Sequence, residues 1–232
     1  MQNTKRQYKR LKMKEIGFGN MQEKIKKMEE YATLNNIPIM QKDGIEFLLD
    51  YIKNNNIKNI LEIGTAIGYS SIRMALLDDN TKVTTIERDI NRYNEAIKNI
   101  KEFNLEDRIN VILKDALEVE LNDKYDLIFI DAAKAQNIKF FEKYKNNLKD
   151  NGTIITDNMY FHGLIFKDKS EIESRNLKQL VRKLNNYHKF LKENKEFNTK
   201  IIEVGDGIAI SKKNWLVVIP WKWWIIKNMM IH

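Results

Sequence analysis

Two groups of residues in this 232-residue chain have the types and spacing to do chemistry. The first is the run Leu61-Glu62-Ile63-Gly64-Thr65-Ala66-Ile67-Gly68-Tyr69-Ser70, which ends an apolar stretch and opens a helical one. Glycines at such a junction let backbone come close to a ligand, and the first N–H groups of the helix are free to bind it. The spacing is E-x-G-x-x-x-G, not the G-x-G-x-x-G of a dinucleotide fold. Glu87 closes the next apolar run, 19 residues after Gly68, where a carboxylate can accept both hydroxyls of a ribose. Asp115 and Ala116 follow the third run, where an adenine edge would lie. These positions fall at the carboxyl ends of adjacent strands and so converge on one crevice.

The second group is Asp131 with Asp157 and Asn158, at the ends of the fourth and fifth runs. Two carboxylates and an amide oxygen form a hard oxygen set suited to Mg or Ca, with water and substrate completing an octahedron. Carboxylates at buried strand ends are costly without a cation, which favours a metal over a structural role. Lys134, three residues after Asp131, is within reach of the same pocket, where a neighbouring cation would lower its pKa and suit it to act as a base. The three histidines, His162, His188 and His232, have no ligand spacing, and His162 is placed at the substrate entrance. There is no Ser-His-Asp arrangement, P-loop or zinc signature, and the absence of cysteine excludes disulfides, thiolate metal sites and a cysteine nucleophile.

The elements that must position these residues follow from periodicity. Residues 21–35 space Met21, Ile25, Met28 and Ala32 on one helical face that should stop before Pro38, and a second helix is expected from about Asp43 to Asn55. Five short apolar runs then alternate with helical stretches, at residues 59–64, 82–87, 108–113, 125–131 and 152–157. Unbroken apolar strands between helices argue for a parallel, doubly wound α/β sheet. A long amphipathic helix is expected over residues 170–194, with Leu177, Leu180, Val181, Leu184, Tyr187 and Leu191 on its apolar side. Two strands joined at Gly205-Asp206-Gly207 close the chain's regular part as an antiparallel hairpin. The fold class expected is thus α/β, a Rossmann-like methyltransferase-type sheet of seven mostly parallel strands with helices on both faces.

Charge and composition bound the remainder. The net charge is +8, but residues 1–14 hold six basic and no acidic residues and residues 212–232 hold four basic and none acidic. The intervening body therefore carries 30 basic against 32 acidic residues and is not a basic surface overall. The expected organisation is a basic arm at 1–20, a catalytic domain at 21–213 and an apolar Trp-rich tail at 214–232. Pro220, Lys222 and Lys227 interrupt that tail, and a membrane span needs about 20 nearly uncharged residues, so membrane contact is a minor reading beside a tail without catalytic role. With no apolar leader at the start, a cytoplasmic setting is expected.

On the motifs LEIGTAIGYSSIRMA, TIERD, FIDAAKAQ, TDN and GDGIAIS, in that order from about Met28 to Lys213, the sequence resembles the metal-dependent, S-adenosylmethionine-dependent O-methyltransferases, the group of the catechol and caffeoyl-CoA enzymes. Within that group NNIPIMQKDGIEFLL, EIGTAIGYSSIRMA and VGDGIAISKK are most similar to the bacterial tRNA 5-hydroxyuridine methyltransferases. The resemblance implies that Met40, Ser70, Glu87, Asp115, Ala116 and Asp131 surround S-adenosylmethionine, with Glu62 and Gly64 in the same cofactor loop. It implies Mg2+ on Asp131, Asp157 and Asn158, Lys134 in the place of the general base with Asp131 beside it, and a homodimer. Ala133 stands where catechol enzymes carry a bulky Trp. The expected reaction is methyl transfer to the 5-hydroxyl of 5-hydroxyuridine at the wobble position of a tRNA anticodon stem-loop, giving 5-methoxyuridine. The alternatives are a small catechol or hydroxycinnamoyl acceptor, and a non-catalytic RNA-binding module.

Overall fold

The computed structural model describes residues 19–214 except Lys169, so the basic arm before residue 19 and the Trp-rich tail after residue 214 lie outside the described residues. Helix α1 covers residues 19–34 and packs Ile25, Met28 and Ala32 inward at the expected 3-and-4 spacing. Gly19 and Asn20, assigned to the arm by sequence, already belong to this helix. Helix α2 (Lys42–Asn54) buries Ile45, Leu48, Leu49 and Ile52. The alternating units follow as β1 (Asn59–Ile63), α3 (Tyr69–Ala75), β2 (Lys82–Glu87), α4 (Ile90–Glu102), β3 (Ile109–Leu113), β4 (Tyr125–Ile130), α5 (Asn137–Tyr144) and β5 (Leu148–Thr156). Helix α6 (Arg175–Glu193) then leads to β6 (Phe197–Ile202) and β7 (Ile208–Lys213).

The seven strands form one sheet in the order β3-β2-β1-β4-β5-β7-β6. The pairs among β1 to β5 are parallel, whereas β7 inserts between β5 and β6 and runs antiparallel to both. Successive residues of the central strands feed opposite cores: Leu127 and Phe129 pack with α1 to α4, and Ile128 and Ile130 pack with α5 and α6. Both faces are covered, which is why these strands read as unbroken apolar runs and not as alternating ones. Tyr69 joins three helices on the first face. Its hydroxyl donates to Glu29 at 2.6 Å and accepts from Arg73 at 2.9 Å, and Arg73 also reaches Glu46 at 2.6 Å.

Two boundaries differ from the sequence expectation. Strand β5 begins at Leu148, four residues early, because Tyr125 pairs with Leu148 and Leu127 with Thr153, so the polar stretch 149–152 bulges out of register. Helix α6 begins at Arg175 rather than near 170, since Ser174 takes the cap position and its hydroxyl accepts from the Leu177 N–H at 3.4 Å. Of its expected apolar side Val181, Leu184, Tyr187 and Leu191 are buried, whereas Leu177 in the first turn is exposed and Leu180 is half-buried.

Chain connections leave β1 toward β2 and β3 on one side and β4 toward β5 on the other. The carboxyl ends of β1 and β4 thus mark the switch point where open α/β sheets bind ligands. The candidate cofactor and metal residues singled out above, apart from Met40, lie in or just beyond the carboxyl ends of these strands.

Candidate active site

At the switch point the chain leaving β1 lies close against the chain leaving β4, its parallel neighbour in the sheet. Gly64 adopts φ +106°, and a Cβ there would stand 2.4 Å from the Asp131 carbonyl oxygen and 3.1 Å from the Ala132 Cα. Only glycine fits, both in conformation and in space. The loop beyond it turns through Ala66 (φ +48°) and Gly68 (φ +83°) into α3. Glu87, at the tip of β2, holds that loop in place. Its Oε2 accepts from the Ala66 N–H at 2.9 Å, and its Oε1 accepts from the N–H groups of Arg88 and Asp89, both at 2.9 Å. The carboxylate is therefore fixed in direction, with Oε1 committed to two N–H groups and Oε2 keeping lone-pair capacity toward the cavity it lines. Asp115 caps a short turn through the Leu117 N–H at 2.8 Å and faces Arg88 at 3.8 Å.

Glu62 is placed differently from its neighbours. It is fully buried and does not line the cavity. Ser70 and Ser71 of α3 donate to its two carboxyl oxygens, and Thr85 of β2 donates to Oε2 at 2.6 Å. Glu62 therefore ties β1, β2 and α3 together behind the loop, and its sequence assignment as a cofactor contact is corrected to this supporting role. Ser70 remains at the cavity wall, with its hydroxyl committed to Glu62.

The second constellation gathers at the ends of β4 and β5. Lys134 Nζ lies 3.4 Å from Asp131 Oδ1, and both side chains are largely buried. Burial pushes the Asp131 carboxyl upward against the opposing pull of Lys134. Asp157 is pushed up to about 7, by burial first and then by the negative charge of Asp131. Asn158 follows in the left-handed region at φ +63°. Its amide is oriented by its neighbours, with the nitrogen donating to Asp206 Oδ2 at 2.8 Å and the oxygen accepting from Lys134 Nζ at 3.3 Å. The opposite orientation would set acceptor against acceptor and donor against donor.

A single cavity of about 710 Å3 connects the two constellations, lined at one end by Glu87, Asp115 and Ala116 and at the other by Asp131, Lys134, Asp157 and Asn158. Met40, Gly64 and Ser70 line it between them. The O-methyltransferase family matches residues 18–214, nearly the whole described chain. The chain belongs to the O-methyltransferase family. A caffeoyl-CoA O-methyltransferase from Populus kitakamiensis is 28% identical over 193 residues, covering 80% of this chain and 82% of that protein. Among solved structures, a candidate caffeoyl-CoA O-methyltransferase from Staphylococcus aureus is 42% identical with a TM-score of 0.79, over 82% of this chain and 92% of that one. An O-methyltransferase from Bacillus cereus in complex with SAH is 25% identical with a TM-score of 0.71, over 83% and 91%.

The donor chemistry of this O-methyltransferase fits a divalent cation. Asp131 and Asp157 are both buried, the charge of Asp131 raises the proton affinity of Asp157, and Lys134 Nζ lies beside Asp131. Asn158 offers a carbonyl oxygen to the same space. Among the described residues no cluster of three or more His, Cys, Asp or Glu is arranged for a metal, so the hard-oxygen set is two carboxylates and an amide. His162 lines the mouth, as expected, with its side chain 65% exposed. Sequence reasoning missed Asp206, Phe161 and Leu180, which also line the cavity. By sequence Leu180 is an ordinary member of the α6 stripe and Asp206 a turn residue; the packing of α6 and the insertion of the β6–β7 turn bring them to the cavity.

Proposed function

We propose that this protein transfers the methyl group of S-adenosylmethionine to one oxygen of a vicinal oxygen pair, with Mg2+ held by Asp131, Asp157 and Asn158, and that its acceptor is a small catechol of the hydroxycinnamoyl kind. The observation that carries this reading is the one cavity that joins a ribose-type carboxylate, Glu87, to a buried hard-oxygen set beside Lys134. Relatives named as caffeoyl-CoA enzymes support the acceptor class, and the SAH held by the Bacillus cereus relative supports the methyl donor.

A divalent ion held by Asp131, Asp157 and Asn158 would supply Lewis-acid stabilisation of a deprotonated acceptor oxygen. The chain's own residues do the rest. Glu87 and the Gly64–Ser70 loop orient the nucleoside, and Met40 and Ala116 pack beside it. Lys134 Nζ, held beside Asp131, receives the acceptor hydroxyl proton and releases it to water. The O–CH3 bond forms as the S–CH3 bond breaks, and the sulfur keeps the electron pair as a neutral thioether. Holding oxygen, methyl carbon and sulfur in line contributes the larger share of the rate, because both partners are fixed by the same sheet edge.

One observation favours a second acceptor. Ala133 leaves the cavity wall small where catechol enzymes carry a Trp, which suits 5-hydroxyuridine on an anticodon loop, whose O5 and O4 are also vicinal. The test supplies labelled S-adenosylmethionine and Mg2+ with caffeoyl-CoA in one reaction and with an anticodon stem-loop bearing 5-hydroxyuridine in another. Methylated hydroxycinnamoyl product is expected. Label recovered only as 5-methoxyuridine would transfer the assignment to tRNA, and RNA retention without any methyl transfer would leave a binding module.

A further inference from the structure

The residues assigned to metal and cofactor leave one buried carboxylate in the cavity without a role. Asp206 sits in the turn between β6 and β7 and is 7% exposed. This turn is wedged into the site. Gly205 (φ +56°) has its Cβ direction 3.3 Å from the Gly44 nitrogen at the start of α2, and Gly207 (φ +82°) has its own only 2.7 Å from the Tyr160 ring. Neither position admits a side chain without displacing its neighbour.

The turn is joined to the loop after β5 by a dense set of hydrogen bonds. Main-chain carbonyls of Gly207 and Asp206 accept from the N–H groups of Met159 at 2.9 Å and Tyr160 at 2.8 Å. The Asp206 carboxylate accepts from the His162 N–H, at 2.7 Å to Oδ1 and 2.8 Å to Oδ2, and from the Asn158 amide nitrogen at 2.8 Å. The loop it holds contains four left-handed residues, Asn158, Phe161, His162 and Gly163, of which only the last is glycine. Non-glycine residues persist in that region when surrounding bonds over-determine them.

We infer that Asp206 is a positioning residue: by accepting the amide nitrogen of Asn158 and the main-chain N–H of His162, it turns the Asn158 oxygen into the cation site and fixes the loop that carries it. An amide has two ends of opposite chemistry, and an acceptor on the nitrogen side, opposite the Lys134 donor at 3.3 Å, selects the end that would ligate a metal. Asp206 thus acts through Asn158 and does not itself join the ligand set. The inference rests on the metal reading above.

The test is a double-mutant cycle read by Mn2+ binding to the full-length protein, by electron paramagnetic resonance, with no turnover involved. Asp206→Asn keeps the size and one acceptor oxygen but can present an amine to Asn158. It is expected to weaken Mn2+ binding about 10- to 100-fold, the range for lost outer partners of metal ligands. Asn158→Ala is expected to weaken binding as well, and adding Asp206→Asn to it is expected to change affinity less than about twofold, because the effect passes through Asn158. Unchanged thermal midpoint and S-adenosylmethionine affinity would separate positioning from a general loss of structure. If Asp206→Asn costs as much in the Asn158→Ala background as alone, its effect is the loss of a nearby charge and the inference is overturned. Wild-type affinity in Asp206→Asn would overturn it too. A wild-type protein that binds no Mn2+ would instead remove the metal reading, and the inference with it.

Discussion

Glu62 shows how a single residue can be legible in type and not in role. Its place in an E-x-G-x-x-x-G run made it a candidate ligand, but a strand residue's face depends on what packs there, and α3 delivers Ser70 and Ser71 to this one. Asp131, Asp157, Asn158 and Lys134 were readable because strand ends and helix starts fix where such residues emerge. Asp206 was not, since its partners Asn158 and His162 lie more than 40 residues away in the chain. The buried Glu62 also has a measurable consequence. Burial outweighs its three hydroxyl donors and pushes its carboxyl from 4.5 up to about 7. Between those values the folded chain keeps a proton that the unfolded chain has released, so this group lowers stability as pH rises through that window and contributes a constant loss above it. Glu62→Gln cannot ionise and keeps an acceptor for the serines. Relative to wild type it is expected to gain about 3 kcal/mol between pH 4.5 and 8, read by urea unfolding at several pH values. Parallel wild-type and variant curves would show that Glu62 does not titrate as argued.

Among the elements, those with uniform apolar runs were read correctly in kind and nearly in extent. Strand β2 matches residue for residue, and α1, α2, β1, β3 and β4 differ by one or two positions. Strand β5 was cut short because Lys149-Asp150-Asn151-Gly152 looks like a turn and is in fact a bulge within the strand. The insertion of β7 between β5 and β6 has no local signal, since hairpin chemistry says that two strands pair and not which of them meets the sheet. At this scale the close approach of Gly64, just after β1, to Asp131, just after β4, is the feature on which the site depends. Gly64→Ala places a methyl 2.4 Å from the Asp131 carbonyl at a φ disfavoured for alanine. It is expected to cost at least about 1–3 kcal/mol in stability and to weaken S-adenosylmethionine binding more than tenfold, because strain and clash must displace the end of β4. Calorimetric titration beside thermal unfolding checks both, and a variant with wild-type affinity would mean that this close approach is not needed to bind the donor.

Across the whole molecule, family likeness and charge divide the chain in the same way. The O-methyltransferase match ends at residue 214, and most of the basic excess lies in the terminal segments at 1–14 and 212–232, largely outside it. The near-neutral body between them has no general attraction for a polyanion, which agrees better with a small acceptor than with RNA, for which phosphate contacts dominate affinity. What unites the described part is one cavity lined by Glu87 at one end and by Asp131, Asp157 and Asn158 at the other, so on the proposed reading loss of the cation set abolishes chemistry and leaves the nucleoside end intact. The most direct measurement is therefore methyl transfer from labelled S-adenosylmethionine to caffeoyl-CoA and to 5-hydroxyuridine RNA, with Mg2+ or with EDTA, by wild type and Asp157→Ala at matched S-adenosylmethionine occupancy. The expected result is transfer to one acceptor with Mg2+, a loss of at least about 100-fold in EDTA or in Asp157→Ala, and unchanged donor binding in both. Undiminished transfer in EDTA, or by Asp157→Ala, would contradict a metal-assisted O-methyltransferase.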